Sequence, residues 1–399
     1  MKRSIDRILT THVGSLPRPP ELIVLLRSIE RGQPFDQKAY GELVPNAVKD
    51  IVRKQVEAGV DVVSDGEVGK PGFINYVNAR LGGFEPSKGP AKKAQWGGTR
   101  ETNAFPEFYQ WIAGTAGGGA AADNRQRMVC TGPITYKGQD LVGADIANMK
   151  AALAGMKVEE VFLPSISPSN VAAFQHNEYY KSDEEYLFAI ADAMREEYKA
   201  IVAAGFLVQI DDPALLVQYL RNPGMSMDDW RRWAQVHVES INFALRGIPA
   251  EKVRHHTCHG INMGPRVNDM ELKDHVEFML KINAGGYSFE AANPRHEHEW
   301  RVWKTVKLPE GKVILPGVIT QSSFLIEHPE LVAERIERFA SVVGRENVIA
   351  SSDCGFATQA TSEEIHPSIT WAKLKALAEG AALASGRLWV KSPQRRTGS

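Results

Sequence analysis

The chain has 399 residues, of which 43% are hydrophobic and 24% charged, and its net charge is −1. This is an ordinary globular composition, and it gives no grounds for nucleic acid or an anionic membrane surface as a partner. No stretch approaches about 18 uninterrupted apolar residues, so no membrane span is expected, and the basic N-terminus lacks the long apolar core of a secretory signal.

Taken in chain order, nine short apolar runs rich in β-formers read as strands: 7–16, 60–67, 128–136, 160–167, 206–212, 252–259, 287–292, 312–319 and 347–354. Amphipathic helices are predicted between them, over 40–59, 183–205, 227–247 and 329–344, each ending at a glycine. The second carries Leu187, Ile190, Ala191, Met194, Tyr198, Ile201 and Val202 on one stripe. Strand and helix in alternation imply a parallel sheet.

Nine strands are one too many for a (β/α)8 barrel. The run 128–136 is therefore assigned to an accessory hairpin. Residues 81–127, rich in glycine and lysine and containing Gly117-Gly118-Gly119-Ala120-Ala121-Ala122, read as an inserted lid rather than barrel wall. The fold class expected is α/β, a TIM barrel over residues 1–391 with an insertion at about 81–136 and a disordered tail at 392–399.

Ionisable or polar residues close strand after strand: Gly14-Ser15, Asp65-Gly66-Glu67, Asp211-Asp212, His256-Thr257-Cys258, Glu290 and Asp353-Cys354. In barrel enzymes the C-terminal strand ends build the active site. Two of the three cysteines are here. Residues two apart in a strand share a face, so His256 and Cys258 converge, and Cys354 from a distant strand end completes a soft donor set suited to Zn²⁺. Glu290 is the natural fourth ligand. His255 points to the face opposite Cys258, which favours His256. Three cysteines, two in a metal site, fit a reducing cytoplasm.

The remaining motifs are less specific. Asp211-Asp212-Pro213 suits either a substrate ammonium or the cap of a helix that opens with proline. Asp65-Gly66-Glu67 is a tight turn or a cation clamp. Gly14-Ser15-Leu16-Pro17-Arg18 offers backbone N–H groups and a guanidinium to an anion. Asn293-Pro294-Arg295-His296-Glu297-His298 is a solvated loop, a support for the metal ligands, or a substrate contact through Arg295. No phosphate loop, dinucleotide fingerprint or nucleophile elbow occurs.

Several motifs in fixed order carry a resemblance: Thr-His-Val-Gly-Ser-Leu-Pro-Arg at 11–18, Ser-Asp-Gly-Glu at 64–67, Gln-Ile-Asp-Asp-Pro-Ala-Leu at 209–215, His-Thr-Cys at 256–258, Phe-Glu at 289–290 and Ser-Asp-Cys-Gly at 352–355. From Ile8 to about Ala357 the chain resembles the catalytic barrel of the cobalamin-independent methionine synthase family. The resemblance implies zinc on His256, Cys258, Glu290 and Cys354, and the amino-acid part of homocysteine on Ser15, Glu67 and Asp211. It also implies thiol S-alkylation. A histidine that the family carries after the penultimate strand's Gly-Val is absent from Ile319-Thr320-Gln321-Ser322, and a family tryptophan is absent from Pro164 to Phe174. The alkyl donor is therefore left open.

Collected by role, the expected substrate contacts are His12, Gly14, Ser15, Arg18, Asp65, Glu67, Asp211, Asp212 and Arg295. Glu290, the hard ligand in a soft set, is the one expected to yield to the thiol, and it joins Asp211 in the catalytic pair. The partners expected are a small-molecule thiol and an alkyl or methyl donor, with a homo-oligomer compatible. The function expected is methyl transfer to homocysteine or a similar thiol. Epoxide opening by the same thiolate, as in epoxyalkane:coenzyme M transferases, and a non-catalytic zinc-stabilised binding protein are the alternatives.

Overall fold

The structure, a computed structural model, describes residues 1–87, 97–113, 127–260, 264–360 and 365–389. The Gly117–Ala122 run and the 392–399 tail lie outside the described residues. In chain order the strands are β1 (Leu9–Thr10), β2 (Val62–Val63), β3 (Leu81–Pro86), β4 (Met128–Tyr136), β5 (Glu160–Ile166), β6 (His176–Asn177), β7 (Leu207–Asp211), β8 (Val253–His256), β9 (Gly286–Phe289), β10 (Val313–Ile319) and β11 (Ile349–Ser352).

Eight of these form one parallel sheet in the spatial order β1-β11-β10-β9-β8-β7-β5-β2. Read from the other edge, that is sequence order around a barrel. The seam between β1 and β2 is bridged where the Asp61 N–H donates to Thr10 O at 3.1 Å and the Thr11 hydroxyl to Val62 O at 2.9 Å. The expected TIM barrel is what the chain forms. β4 stands outside it, as its surplus in the strand count required, pairing antiparallel with β3 and parallel with β6.

The helices follow their sequence signals. The one at Asp183–Ala203 starts where the Ser182 hydroxyl accepts from Glu185 N, carries three acidic residues in its first turn, and buries Leu187, Ile190, Ala191, Met194, Tyr198 and Ile201 against the sheet. Val202, expected on the same stripe, sits at its edge, partly buried. The segment 97–113 contains two short helices, Arg100–Ala104 and Pro106–Ala113. Among the described residues no helix is long and apolar enough to cross a membrane.

The barrel interior is not wholly apolar. Arg254 is fully buried, lies 3.8 Å from the Phe162 ring centre, and donates to the Thr11 hydroxyl and His12 O. Its partners therefore fix the chain entering the 11–18 loop, the first piece of the site.

Candidate active site

β8 ends at His256, and Thr257 continues its line by donating from N to Ser288 O at 3.0 Å and from its hydroxyl to Asp212 O at 2.9 Å. Cys258 is thereby held on the face of His256. From the other side, the Asp353 N–H donates to Ile319 O, and its carboxylate accepts from the N–H groups of Ala291, Ala292 and Asn293 at 2.7, 2.8 and 3.0 Å. Asp353 thus locks the turn after β9 to the end of β11, and Cys354 follows it facing Cys258. The two sulfurs are 3.7 Å apart, neither is in a disulfide, and donor atoms of His256, Cys258 and Cys354 lie within 4.8 Å of one another.

Two observations test whether this set fits a metal. His256 is buried, and neither ring nitrogen has a hydrogen-bond partner among the described residues. A buried polar atom left unpaired is costly and rare. Second, two sulfurs each about 2.3 Å from a tetrahedral zinc stand about 3.8 Å apart, close to the spacing found here. Burial, aided by His255, lowers the His256 pKa to about 3, so the ring is neutral and its lone pair available. The hydrogen bond to Cys258, together with burial, pushes the Cys354 thiol well up. The donor set fits Zn²⁺.

The expected fourth ligand is turned elsewhere. Glu290 groups with His259 and His296, not with the sulfur set. Its Oε1 accepts from His259 N at 2.9 Å and lies 3.3 Å from His259 Nδ1, while Oε2 accepts from Arg266 Nη2 and Asn293 Nδ2, both at 2.7 Å. The guanidinium beside it, with His259, holds its carboxyl well below the usual range against the pull of burial. Strand-end position placed Glu290 near the site, but a stronger local partner, Arg266, takes the carboxylate.

Near the sulfur set lies a group of buried carboxylates, Asp65, Glu67 and Asp211. Asp211 is the β-ladder neighbour of His256. Burial and the nearby Glu67 raise its pKa well above the ordinary carboxyl value. Glu67 has a left-handed backbone, φ 52°, in the tight turn the sequence suggested, with its N–H on Asp65 Oδ1 at 3.0 Å. Asp65 shapes that turn, and burial, tempered by Lys70, raises its pKa to about 6. Gly14 makes the close approach possible: with φ 154°, a Cβ there would stand 3.0 Å from Pro164 Cγ and 3.5 Å from Glu67 Oε2. Ser15 bridges the two halves. Its carbonyl accepts from Phe356 N at 2.9 Å, and its hydroxyl packs where a methyl on Gly355 would overlap it.

Residues 8–94 and 166–376 match the family described as "Cobalamin-independent synthase, Catalytic domain". The chain belongs to that family. Among its curated relatives is a methionine synthase of Saccharolobus islandicus (strain Y.N.15.51), 26% identical over 95% of each chain. A methionine synthase of Thermococcus kodakarensis is 25% identical over 87% of this chain and 86% of its own. The solved structure of a B12-independent methionine synthase from Shewanella sp. W3-18-1, in complex with selenomethionine, superposes with a TM-score of 0.71 at 20% identity, covering 96% of this chain and 99% of that one. At that identity the likeness is one of fold.

Four expected contacts of this family member are engaged away from the pocket. His12 Nε2 donates to Gln55 Oε1 at 2.7 Å, and burial lowers the His12 pKa to about 3. The Arg18 guanidinium donates to Ala357 O at 2.5 Å and Glu67 O at 3.0 Å, so it braces the loop. Asp212 is fully buried between Ser167, His237 and His255, at 2.8, 2.9 and 3.1 Å. That geometry joins β7 to the neighbouring helix and strand. Arg295 is exposed and donates to Val267 O at 3.2 Å.

The residue reading missed Lys70, whose buried ammonium lies 3.2 Å from Glu67 Oε1, donates to Pro164 O, and stands 4.3 Å from the Tyr76 ring centre. Its spacing of three from Glu67 was the available signal. It also missed Arg266 and His259 as partners of Glu290, whereas Asn293 belongs to the loop that was read, in one alternative, as a support for the metal ligands, and its Nδ2 bonds Glu290. Arg266 had no signal, since it reaches the site from a loop.

Proposed function

We propose that this protein is a zinc-dependent S-methyltransferase acting on homocysteine or a closely similar amino-acid thiol. One observation carries the reading: a buried histidine with both ring nitrogens unpaired beside two thiols at 3.7 Å, near the buried carboxylates of Glu67 and Asp211. The name methionine synthase borne by the relatives supports it.

His256, Cys258 and Cys354 would hold the metal. When bound, zinc supplies a positive centre that keeps a coordinated thiol as its nucleophilic thiolate at neutral pH. The chain's residues do the rest. Glu67 and Asp211 receive the substrate ammonium, whose charge offsets the burial and the repulsion from Glu67 that raise the Asp211 pKa. Ser15, packed on Gly355 beside Cys354, sets the distance between the amino-acid head and the reacting sulfur. Arg18 and Asp65 hold Glu67 in its strained turn. In the transfer a sulfur–carbon bond forms, the donor–carbon bond breaks, and the donor keeps the electron pair. A sulfonate thiol would prefer cations to two carboxylates, so the pocket favours an amino acid. Epoxide opening gains no support from the methionine synthases that the chain matches.

The test is zinc content and zinc X-ray absorption of protein prepared with metal, with and without homocysteine or coenzyme M. The expected result is two zinc–sulfur bonds at rest and a third with homocysteine only. A third bond with coenzyme M alone would overturn the acceptor assignment. Metal-free protein under replete conditions would overturn the reading as a whole. Assays offering methyltetrahydrofolate and methylcobalamin in turn then name the donor.

A further inference from the structure

Lys70 puts a buried ammonium beside a carboxylate that the proposed function reserves for the substrate's own. Nζ lies 3.2 Å from Glu67 Oε1, donates to Pro164 O at 2.6 Å, and stands 4.3 Å from the Tyr76 ring centre. The Lys70 backbone N–H donates to Glu67 O at 3.0 Å, which closes the turn in which Glu67 has its left-handed φ. Burial opposes the charge, but Glu67 and Asp65 hold the Lys70 pKa above the ordinary lysine value. A buried ion pair is poor evidence of stability, because apolar residues of similar volume often serve as well. Its place beside the site therefore calls for another account.

The contacts of Lys70 are themselves anchored. Tyr76 lies on the short helical turn Asn75–Ala79, and its ring also meets the Arg80 guanidinium, 4.8 Å from the centre. Its hydroxyl accepts from Ile166 N at 3.0 Å and donates to Glu197 Oε1 at 2.9 Å. Glu197 is buried on the Asp183–Ala203 helix, and its other donors are the Ser165 hydroxyl at 2.8 Å, Arg80 Nη1 at 3.0 Å and the Tyr136 hydroxyl at 2.9 Å. Four donors are as many as its lone pairs can serve. The end of β5 is thus held at Pro164, Ser165 and Ile166 in succession, and the end of β4 is tied to the same carboxylate. Lys70 rests on a platform of fully paired groups.

That platform decides which Glu67 oxygen is free. Lys70 takes Oε1. Oε2 has no hydrogen bond among the described residues, and it lies 3.5 Å from where a Cβ on Gly14 would stand, at the start of the loop that carries Ser15. We infer that Lys70 is a positioning residue for amino-acid recognition: it holds Glu67 through Oε1 and so presents Oε2 to the α-ammonium of the substrate. This rests on the amino-acid thiol proposed above. Without Lys70, the buried Glu67 and Asp211 would repel one another with no cation at hand. The selection of a thiol that carries an α-ammonium over one that lacks it then depends on Lys70, which acts through Glu67.

The test is calorimetric titration of zinc-loaded protein with homocysteine and with its desamino analogue, mercaptobutanoate, which keeps the thiol and the carboxylate. Wild type, Lys70→Met, Glu67→Gln and the double variant would be compared. Lys70→Met is expected to weaken homocysteine binding by about 10–100-fold, the scale of a lost hydrogen bond to a charged group, and to leave mercaptobutanoate binding and zinc content unchanged. In the Glu67→Gln background the same substitution should have no further effect on homocysteine, because the two residues act as a unit. An equal loss for both thiols, or losses that add in the double variant, would overturn the inference, since a lysine that merely supports the fold would behave in that way. Lys70→Gln, which removes the charge and keeps a polar donor, decides the matter where Lys70→Met does not fold. A wild type that binds the two thiols equally would instead remove the amino-acid acceptor itself, and Lys70's role with it.

Discussion

Two clusters of buried metal-type donors adjoin at the mouth of this barrel, and they are completed in opposite ways. His256, Cys258 and Cys354 offer two nitrogens without partners and two thiols turned on each other. His259, Glu290 and His296 are drawn from similar residue types and satisfy the same proximity requirement, yet they are finished by the protein. The His259 and His296 rings stack at 4.2 Å, and His259 Nε2 donates to Met270 O at 2.8 Å. His296 lies between Asp269 and Glu299, and Arg266 between Asp269 and Glu290. The His256 nitrogens of the first cluster find no partner among the described residues, whereas the second is completed by the Arg266 guanidinium. Donor identity and proximity do not separate a metal site from a charge network. Whether the polar atoms are already paired does.

The largest effect expected from breaking the comparison is in the sulfur set. Cys258→Ser or Cys354→Ser should lose zinc and reduce methyl transfer by more than the roughly 10–100-fold that an outer contact is worth. Zinc per chain and turnover check this, and full activity in either variant would place the chemistry elsewhere.

The second cluster should answer in stability instead. His296→Leu leaves Asp269 and Glu299 without the imidazolium that donates to both, and should cost about 3–5 kcal/mol by denaturant unfolding. Its pH dependence has a definite sign. Burial opposes protonation of His296, but the bonds to Asp269 and Glu299 prevail and raise its pKa to about 9. The folded state therefore holds this proton more tightly than the unfolded chain, whose histidine titrates near about 6.5. The contribution is fully present below that pH and is lost as pH rises through about 9. Wild-type stability should fall across that window, and the variant should lack this component of the fall.

Between the two in character is the acid pocket. Glu67→Gln and Asp211→Asn should each raise the homocysteine KM by about 10–100-fold, the worth of a charged hydrogen bond, with zinc content unchanged. An unaltered KM would remove these residues from substrate binding. Smallest is Arg295→Ala. The side chain is exposed and bonded to one carbonyl, so stability should move by no more than about 0.5 kcal/mol and homocysteine KM by little. A large KM change would restore Arg295 as a substrate contact.

Much of this was legible in the residues. Each barrel strand overlaps a run that apolar patterning marked, because a strand enclosed by helices must be apolar and polar groups are first tolerated at its end. His256 and Cys258 were legible together because a two-residue period fixes a shared face. Asp212 was not, since one residue's difference from Asp211 turns it to His237 and His255, and either aspartate could have faced the pocket.

What the sequence alone determined is the alternation of strand and helix, the surplus strand at β4, and the donor types at the strand ends. These depend on local periodicity and chemistry. Only the tertiary structure decided which donors meet. Arg266 reaches Glu290 across 24 residues, and Glu101 braces the residue after Arg266 across 166. Loops carry no periodicity, so nothing in their own sequence says where they end. Once folded, burial makes each charge take its nearest partner, and the structure bonds Glu290 to His259, Arg266 and Asn293.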